Sequence, residues 1–164
     1  NTNFIPYDKN NIIAFGLVLD KDKQPIGLKV SLYDVSNPKK VKIKDKVTFM
    51  YDEYNSAYSE VLYDCKSLLL DKENRILGFP IIYWIKEKNK PAYYKQFYAV
   101  YKLNNELTQL GKISHYEAGK ENGSNDIKRG LVINKNLFTV SDRLIMKNNL
   151  EDLKLVKKSY LSTA

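Results

Sequence analysis

Residues 70–80 read LDKENRILGFP, and the same pattern occurs as YDKNNIIAFG over residues 7–16 and as INKNLFTVS over residues 133–141. Each copy connects two apolar stretches through a short polar turn, which is the pattern of a β-hairpin. The lysines of the three turns follow one another at intervals of 63 residues. A repeat of this kind indicates that one structural unit occurs three times along the chain.

A further pair of strands follows each hairpin. These pairs cover residues 27–49, 94–115 and 143–161, and each contains a polar turn. A hairpin and a following strand pair together make a four-stranded antiparallel meander, which is the unit of a propeller blade when it is repeated. The apolar residues of 150–160 would also fit one face of a helix. We expect strands there, because the two preceding copies are strands.

The chain is therefore expected to be all-β, with about three four-stranded antiparallel meander blades of a β-propeller that form an incomplete ring. We treat residues 1–164 as a single propeller fragment with blade-like units at about 1–50, 66–115 and 127–161. The connectors expected as loops are 50–66, 86–92 and 116–127. Since about four to eight blades close a propeller, we expect a piece of a longer protein that self-associates through its uncovered blade faces.

Charge and hydropathy exclude two classes of partner. The net charge is +8, but only 3 of the 27 basic residues are arginines, and the lysines are spread over the whole chain. Phosphate recognition uses clustered basic residues and often arginine, so we do not expect nucleic acid as a partner. No apolar run approaches the length of about 18 residues that a membrane-spanning helix needs, so no transmembrane segment is expected in this chain.

Cysteine and histidine each occur once, as Cys65 and His115. One cysteine cannot form an internal disulfide or a cysteine-based metal cluster, and we expect neither a metal nor another cofactor. His115 ends a predicted strand and belongs to no nucleophile motif, so we expect it to face solvent and name no catalytic residue. Residues 20–25 begin like a calcium loop, but later oxygen ligands are missing, and a plain hairpin loop is predicted.

Five residues are candidates for binding. Glu60, Asp64 and Arg129 lie near the starts of inner strands, where a propeller approaches its central channel. They form either a polar cluster at one mouth of the ring or an ion pair between blades. Tyr83 and Trp84 precede the connector 86–92, and exposed aromatic rings there would stack on sugars or fill a partner's pocket. Packing in the core is the alternative for both rings.

Several segments, taken in order and spacing, carry a family resemblance. They are residues 6–10, 27–38, 58–66, 111–115, 129–133 and 137–141. With them the chain resembles the bacterial and archaeal secreted proteins that have a C-terminal β-propeller domain distantly related to WD40 repeats. The resemblance implies an extracellular or cell-surface location with a tether such as a lipoprotein anchor. It brings no catalytic residue with it, and Cys65 stands where relatives tend to have histidine.

The expected function is that of a non-catalytic extracellular or cell-surface module that binds a protein or glycan partner. The alternative is a structural part of a secreted enzyme whose active site lies in missing blades or domains. A purely architectural spacer is a third option, and it predicts no ligand. The poverty of catalytic side chains in the 164 residues favours the binding module.

Overall fold

The computed structural model describes residues 2–52, 55–116 and 123–162 of the chain. These residues form three antiparallel sheets, and none of them belongs to an α-helix. The first sheet is a meander whose four strands pair in chain order. They are β1 (Thr2–Pro6), β2 (Asn11–Leu19), β3 (Pro25–Asp34) and β4 (Lys42–Met50).

The second sheet has five strands, because its first position is shared by two short ones. Its members are β5 (Asn55–Tyr58), β6 (Leu69–Asp71), β7 (Ile76–Ile85), β8 (Tyr93–Leu103) and β9 (Leu107–Ile113). β5 and β6 both pair with β7, at opposite ends of the same edge. The expectation that residues 50–66 form a loop is therefore wrong for β5.

Pro80 of β7 gives the reason for this division. Its carbonyl accepts a hydrogen bond from the Ser59 hydroxyl at 2.7 Å, so its polar backbone side faces β5 and β6. Because proline has no N–H group, a continuous strand could not complete its ladder at this position. The chain instead leaves the sheet as two 3₁₀ turns, Glu60–Leu62 and Cys65–Ser67, before β6 begins.

The third sheet again pairs four strands in chain order. They are β10 (Arg129–Ile133), β11 (Asn136–Val140), β12 (Leu144–Asn149) and β13 (Leu155–Tyr160). The strand predicted in the ambiguous segment 150–160 is confirmed by β13. Part of the predicted connector 116–127 lies outside the described residues.

Two apolar clusters hold the three sheets together. The first interface, between the first and second sheets, contains Phe15 and Phe79, whose rings meet edge to face at 5.0 Å. The second interface, between the second and third sheets, contains Ile76, Tyr98 and Leu137. The middle sheet is thus covered on both faces, which explains the near-continuous apolar run of β7. The all-β prediction of stacked meanders in an open arrangement is confirmed.

The third hairpin differs from the other two in its turn. Asn134 and Lys135 form a two-residue turn with φ angles of 48° and 59°, as a type I′ turn requires. Leu77 of β7 faces the first interface, and a strict repeat would place Val140 at the matching position of β11. Thr139 is the buried residue instead, so the inward positions of β11 are shifted by one residue relative to the repeat. A shift of one residue exchanges the two faces of a strand.

Tyr98 fills the second interface next to two glycines. Its hydroxyl donates to the backbone carbonyls of Ser67 and Gly78 at 3.1 and 3.2 Å. A Cβ atom on Gly78 would lie 2.5 Å from the Tyr98 ring, and one on Gly130 would lie 2.7 Å from its hydroxyl. Only glycine at positions 78 and 130 leaves room for the Tyr98 ring on both sides. Tyr98 therefore packs between β7 of the second sheet and β10 of the third.

His115 is buried, and the expectation that it faces solvent is wrong. Only 4% of its surface is exposed. Its Nδ1 lies 2.9 Å from the Ser141 hydroxyl and its Nε2 lies 2.8 Å from the Thr139 hydroxyl. Burial, with a smaller contribution from Lys158, lowers the histidine pKa to about 4. His115 follows β9 and satisfies both of its ring nitrogens on the third sheet, so it ties the two sheets together.

The two outermost sheet faces carry exposed apolar side chains and have no sheet packed on them among the described residues. Phe4, Ile43 and Met50 are exposed on the face of the first sheet that points away from the first interface. Leu131 and Ile133 are exposed on the far face of the third sheet. In the described part of the chain, no helix has the length and hydropathy needed to span a bilayer.

Candidate binding site between the second and third sheets

Three of the predicted site residues come together where the 3₁₀ turns meet the start of β10. Asp64 caps the second turn, because its carboxylate accepts the backbone N–H of Lys66 at 2.9 Å. The Arg129 Nη2 atom lies 3.5 Å from the other carboxylate oxygen of Asp64. Its Nη1 atom donates to the carbonyl of Lys128 at 2.7 Å. The pair is partly exposed, so it adds little to stability and leaves both groups accessible.

Glu60 belongs to the same group. It lies in the first 3₁₀ turn, one residue after the capping residue Ser59. Burial raises the pKa of Glu60, and the nearby carboxylates of Asp126 and Asp64 raise it further. Lys128 and Arg129 act in the opposite direction. The structure therefore places Glu60, Asp64 and Arg129 within mutual electrostatic range, as either of the two hypotheses for them required.

Asp126 is a member of the site that the sequence did not single out. Its carboxylate accepts hydrogen bonds from the hydroxyl of Tyr116 and, at 3.3 Å, from that of Tyr94. Burial raises the pKa of Asp126, and the two tyrosine hydroxyls oppose this change. Burial and the bond to Asp126 raise the pKa of Tyr116 as well. Asp126 is thus an oriented acceptor with two phenol donors.

The backbone next to Asp126 is fixed by Gln96 of β8. The Gln96 side chain donates to the carbonyl of Ile127 at 2.9 Å and accepts the Ile127 N–H at 2.7 Å. Gln96 and Ile127 are both fully or almost fully buried. A buried side chain that satisfies both polar groups of one residue restrains that residue tightly. The position of Asp126 is therefore set by the second sheet, although it belongs to the approach to the third.

Tyr83 and Trp84, the two aromatic candidates, lie on opposite faces of β7. Tyr83 packs against the first interface and stacks on Phe97 with ring centroids 5.6 Å apart, which agrees with the packing alternative. Trp84 pairs with Tyr94 across the strands, and their ring centroids are 5.2 Å apart. Trp84 remains 49% exposed. An accessible ring thus stands beside the tyrosine that donates to Asp126.

We call Trp84, Tyr94, Tyr116, Asp126 and Glu60 the acid–aromatic site. It offers carboxylates and phenols as hydrogen-bond groups next to an apolar ring surface, a combination that suits a polyhydroxylated ligand. The sequence pointed to Trp84 through its position before a loop. It contained no comparable signal for Asp126, since the surrounding segment has no periodic pattern and the contacts of Asp126 come from distant strands.

No metal chemistry is indicated in the parts of the chain that the structure describes. They contain no group of three or more histidine, cysteine or acidic side chains that could hold an ion. In the calcium-like segment, the Asp20 carboxylate accepts the backbone N–H groups of Asp22 and Gln24 at 2.9 and 2.8 Å. This is a turn motif, as predicted for a hairpin loop. Cys65 is exposed and has no cysteine partner.

Three antiparallel meanders packed face to face, with the middle one covered on both sides, define a set of adjacent propeller blades. Comparison with protein families agrees with this architecture. A family model described as "Beta propeller domain" matches residues 3–153, and the chain belongs to that family. No curated protein and no solved structure matches the chain significantly.

Proposed function

We propose that this β-propeller domain is a non-catalytic module that binds a glycan at the acid–aromatic site, at the cell surface or outside the cell. One observation carries the proposal: the half-exposed ring of Trp84 lies 5.2 Å from Tyr94, whose hydroxyl donates to the Asp126 carboxylate at 3.3 Å. The resemblance to secreted propeller proteins supports the location, which stays a prediction.

The chemistry of the site suits a sugar ring better than a flat apolar ligand. The C–H face of a pyranose packs on an aromatic ring, while its hydroxyls donate to nearby carboxylates. Trp84 supplies such a ring, and Asp126 and Glu60 supply the acceptors. The raised pKa values of both carboxyl groups imply that acidification removes their charge earlier than usual. Glycan binding should therefore weaken as the pH falls through these raised values.

A glycan array followed by calorimetry tests the proposal. We expect at least one glycan to bind the domain, and Trp84→Ala to weaken binding about tenfold, which corresponds to about 1.4 kcal/mol. Asp126→Asn should weaken it similarly. Phe4→Ala is the matched control, since Phe4 is another exposed aromatic residue that lies on the first sheet. The glycan affinity of the Phe4→Ala variant should equal that of the wild type.

The result that would overturn the proposal is glycan binding that persists in folded Trp84→Ala and Asp126→Asn variants. An array without any bound glycan would equally reject it. If the domain instead bound a surface protein, and Trp84→Ala abolished that binding, the acid–aromatic site would be a site for a protein partner. The alternative, a structural part of a secreted enzyme, predicts that this domain binds nothing by itself and that substitution of Trp84 is without effect.

A further inference from the structure

A second concave feature lies between the second and third sheets, at the other end of β7 from the acid–aromatic site. It is an open cleft of about 570 Å³ lined by Ile76, Lys102, Leu110, Lys135, Leu150 and Glu151, together with two asparagines. Ile76 and Trp84 are eight residues apart along β7, a separation of about 26 Å in an extended strand. The cleft is therefore separate from the proposed glycan site.

The two walls of the cleft combine an apolar floor with cationic groups. Ile76, Lys102 and Leu110 belong to the second sheet, whereas Lys135 and Leu150 belong to turns of the third. The backbone N–H of Leu150 donates to the Lys135 carbonyl at 3.0 Å, which fixes the two turns relative to each other. A cleft with such walls would enclose an apolar ligand group and place positive charge at its edge.

The lysines of the cleft are not neutralised by the protein. Lys102 Nζ donates to the backbone carbonyl of Asn74 at 2.7 Å. This bond orients the ammonium group and leaves its other two protons for a ligand. Within the described ranges, neither Lys102 nor Lys135 takes part in an ion pair. Glu151 is the single acidic residue among the described residues that line the cleft. The net charge of the lining is thus positive.

The first interface shows the equivalent position in a sheet-to-sheet contact that contains the residue as part of its apolar core. Leu32 pairs with Ile13, and Lys102 pairs with Ile76, which follows Ile13 by one repeat. Leu32 is therefore the counterpart of Lys102, and it is fully buried in the first interface. A lysine replaces a core leucine where the second interface opens into a cleft, and packing alone gives no reason for this exchange.

The first interface is also closed by polar contacts at this end. The Asp45 carboxylate accepts the backbone N–H of Leu107 at 2.8 Å. Lys44 Nζ donates to the side-chain oxygens of Asn11 and Asn105 at 3.2 and 3.0 Å. These bonds connect the first sheet to the β8–β9 turn, and they engage the side chains of Lys44 and Asp45 within the protein. At the second interface, Lys102 and Lys135 line an open cleft instead.

We propose that this cleft binds a small organic anion that has an apolar portion, such as a sulfonate, a sulfate ester or a carboxylate. The anionic group contacts Lys102 and Lys135, and the apolar portion packs on Ile76, Leu110 and Leu150. Glu151, which also lines the cleft, repels the negative charge of the ligand and so limits the affinity.

Nuclear magnetic resonance of the ¹⁵N-labelled domain with 2-naphthalenesulfonate as the probe tests this site. We expect saturable shifts at the backbone amides of Leu110, Lys135 and Leu150. The neutral analogue 2-naphthalenemethanol should bind about tenfold more weakly, because a hydrogen bond to a charged group contributes about that factor. Lys135→Met should lower the sulfonate affinity by a similar factor, and Glu151→Gln should raise it.

Lys102→Leu introduces the residue of the first interface and should also weaken binding about tenfold. Lys9→Met is the matched control, because Lys9 lies in the first hairpin turn, one full repeat before Lys72 and two before Lys135. The proposal is overturned if the neutral analogue binds as well as the sulfonate, if shifts occur only on the outermost faces around Phe4 or Leu131, or if no amide shifts. Lys135 is exposed, so the Lys135→Met result decides even if Lys102→Leu does not fold.

Discussion

At the scale of single residues, burial sets the chemistry of the lone histidine. His115 lies between two sheets with a hydroxyl at each ring nitrogen, from Ser141 and Thr139. Hydroxyl groups act as donor or acceptor, so they satisfy the neutral ring in either tautomer. Among the residues that the structure describes, no carboxylate is bonded to the ring to stabilise an imidazolium ion. The neutral form is therefore favoured, and the pKa of His115 falls to about 4.

This burial predicts a specific dependence of stability on pH. The folded-state pKa of about 4 lies below the ordinary value of 6.5, so the unfolded chain binds more protons between these values. The stabilising contribution is present above pH 6.5 and is lost as the pH falls towards 4, by up to about 3 kcal/mol. Urea unfolding at a series of pH values measures it.

The matched variant is His115→Gln, which removes the titrating group and keeps an amide for one hydroxyl. We expect it to be less stable than the wild type at pH 7 by about 1–2 kcal/mol, with a flatter pH profile from 6.5 to 4. Identical pH profiles for the two proteins would contradict the assignment of this change to His115.

At the scale of elements, the pairing of β7 with β8 shows how a repeat keeps its shape while its residues change. Leu28 of β3 pairs with Leu17, and Tyr98 of β8 pairs with Pro80, which follows Leu17 by one repeat. The larger Tyr98 is accommodated by glycines at positions 78 and 130. The interface remains filled after this exchange, and the single proton of the tyrosine hydroxyl adds a hydrogen bond that two carbonyl oxygens share.

A methyl group on Gly130 should therefore destabilise the domain. The Cβ atom of Gly130→Ala would lie 2.7 Å from the Tyr98 hydroxyl, and the ring is enclosed and has no free direction to move. We expect a loss of about 2 kcal/mol in the free energy of unfolding. Gly16→Ala is the control, since its Cβ would meet only the Thr2 side chain at 3.3 Å.

The Tyr98→Leu background completes the cycle. Leucine is the residue at the corresponding position of β3, and it leaves space where the tyrosine hydroxyl was. In this background Gly130→Ala should cost clearly less than in the wild type, as denaturant unfolding would show. An equal cost in both backgrounds would mean that the contact with Tyr98 is not the cause.

At the scale of the whole molecule, the two outermost faces set the behaviour in solution. Each described face carries exposed apolar residues, Phe4 and Met50 on the first sheet and Leu131 and Ile133 on the third. Stacked repeats cover such faces with a neighbouring unit. Both faces also carry lysines, including Lys46, so two such faces repel one another at low salt.

We therefore expect the chain to self-associate with increasing concentration, and more strongly at high salt. Sedimentation velocity measures both dependences. Phe4→Lys and Ile133→Lys should each reduce association, because each introduces a charge into one apolar face. Tyr63→Lys is the control, since Tyr63 is an exposed aromatic residue in the 3₁₀ segment. A monomer at all concentrations and salt conditions would contradict this expectation.

Much of the fold follows from local patterns that a sequence carries by itself. The turn residues around Lys9 and Lys72 end one strand and start the next, and the apolar runs between them are too rich in β-forming residues for other elements. Apolar residues at both odd and even positions of β7 predict a strand that is covered on both faces, and the structure confirms this prediction. Repeats, strand order and the open arrangement of the sheets were accessible for this reason.

The sites depended on contacts that no local pattern contains. Trp84 and Tyr83 are neighbours in the sequence, yet one joins the acid–aromatic site and the other packs in the first interface. His115 was expected at the surface because it follows a strand, and the third sheet covers it. Asp126 gains its role from contacts that include the hydroxyl of Tyr94, which precedes it by 32 residues.

The amino-acid sequence by itself determined the strands, their turns and their repetition, because backbone propensity and apolar periodicity act over a few residues. Tertiary structure alone decided which faces meet. Thr139 faces inward, one residue away from the position that the 63-residue pattern predicts, and only the packing of the second sheet shows that this places a partner beside His115. Burial and charge at a site are sums over distant residues, and those residues become neighbours only when the sheets pack.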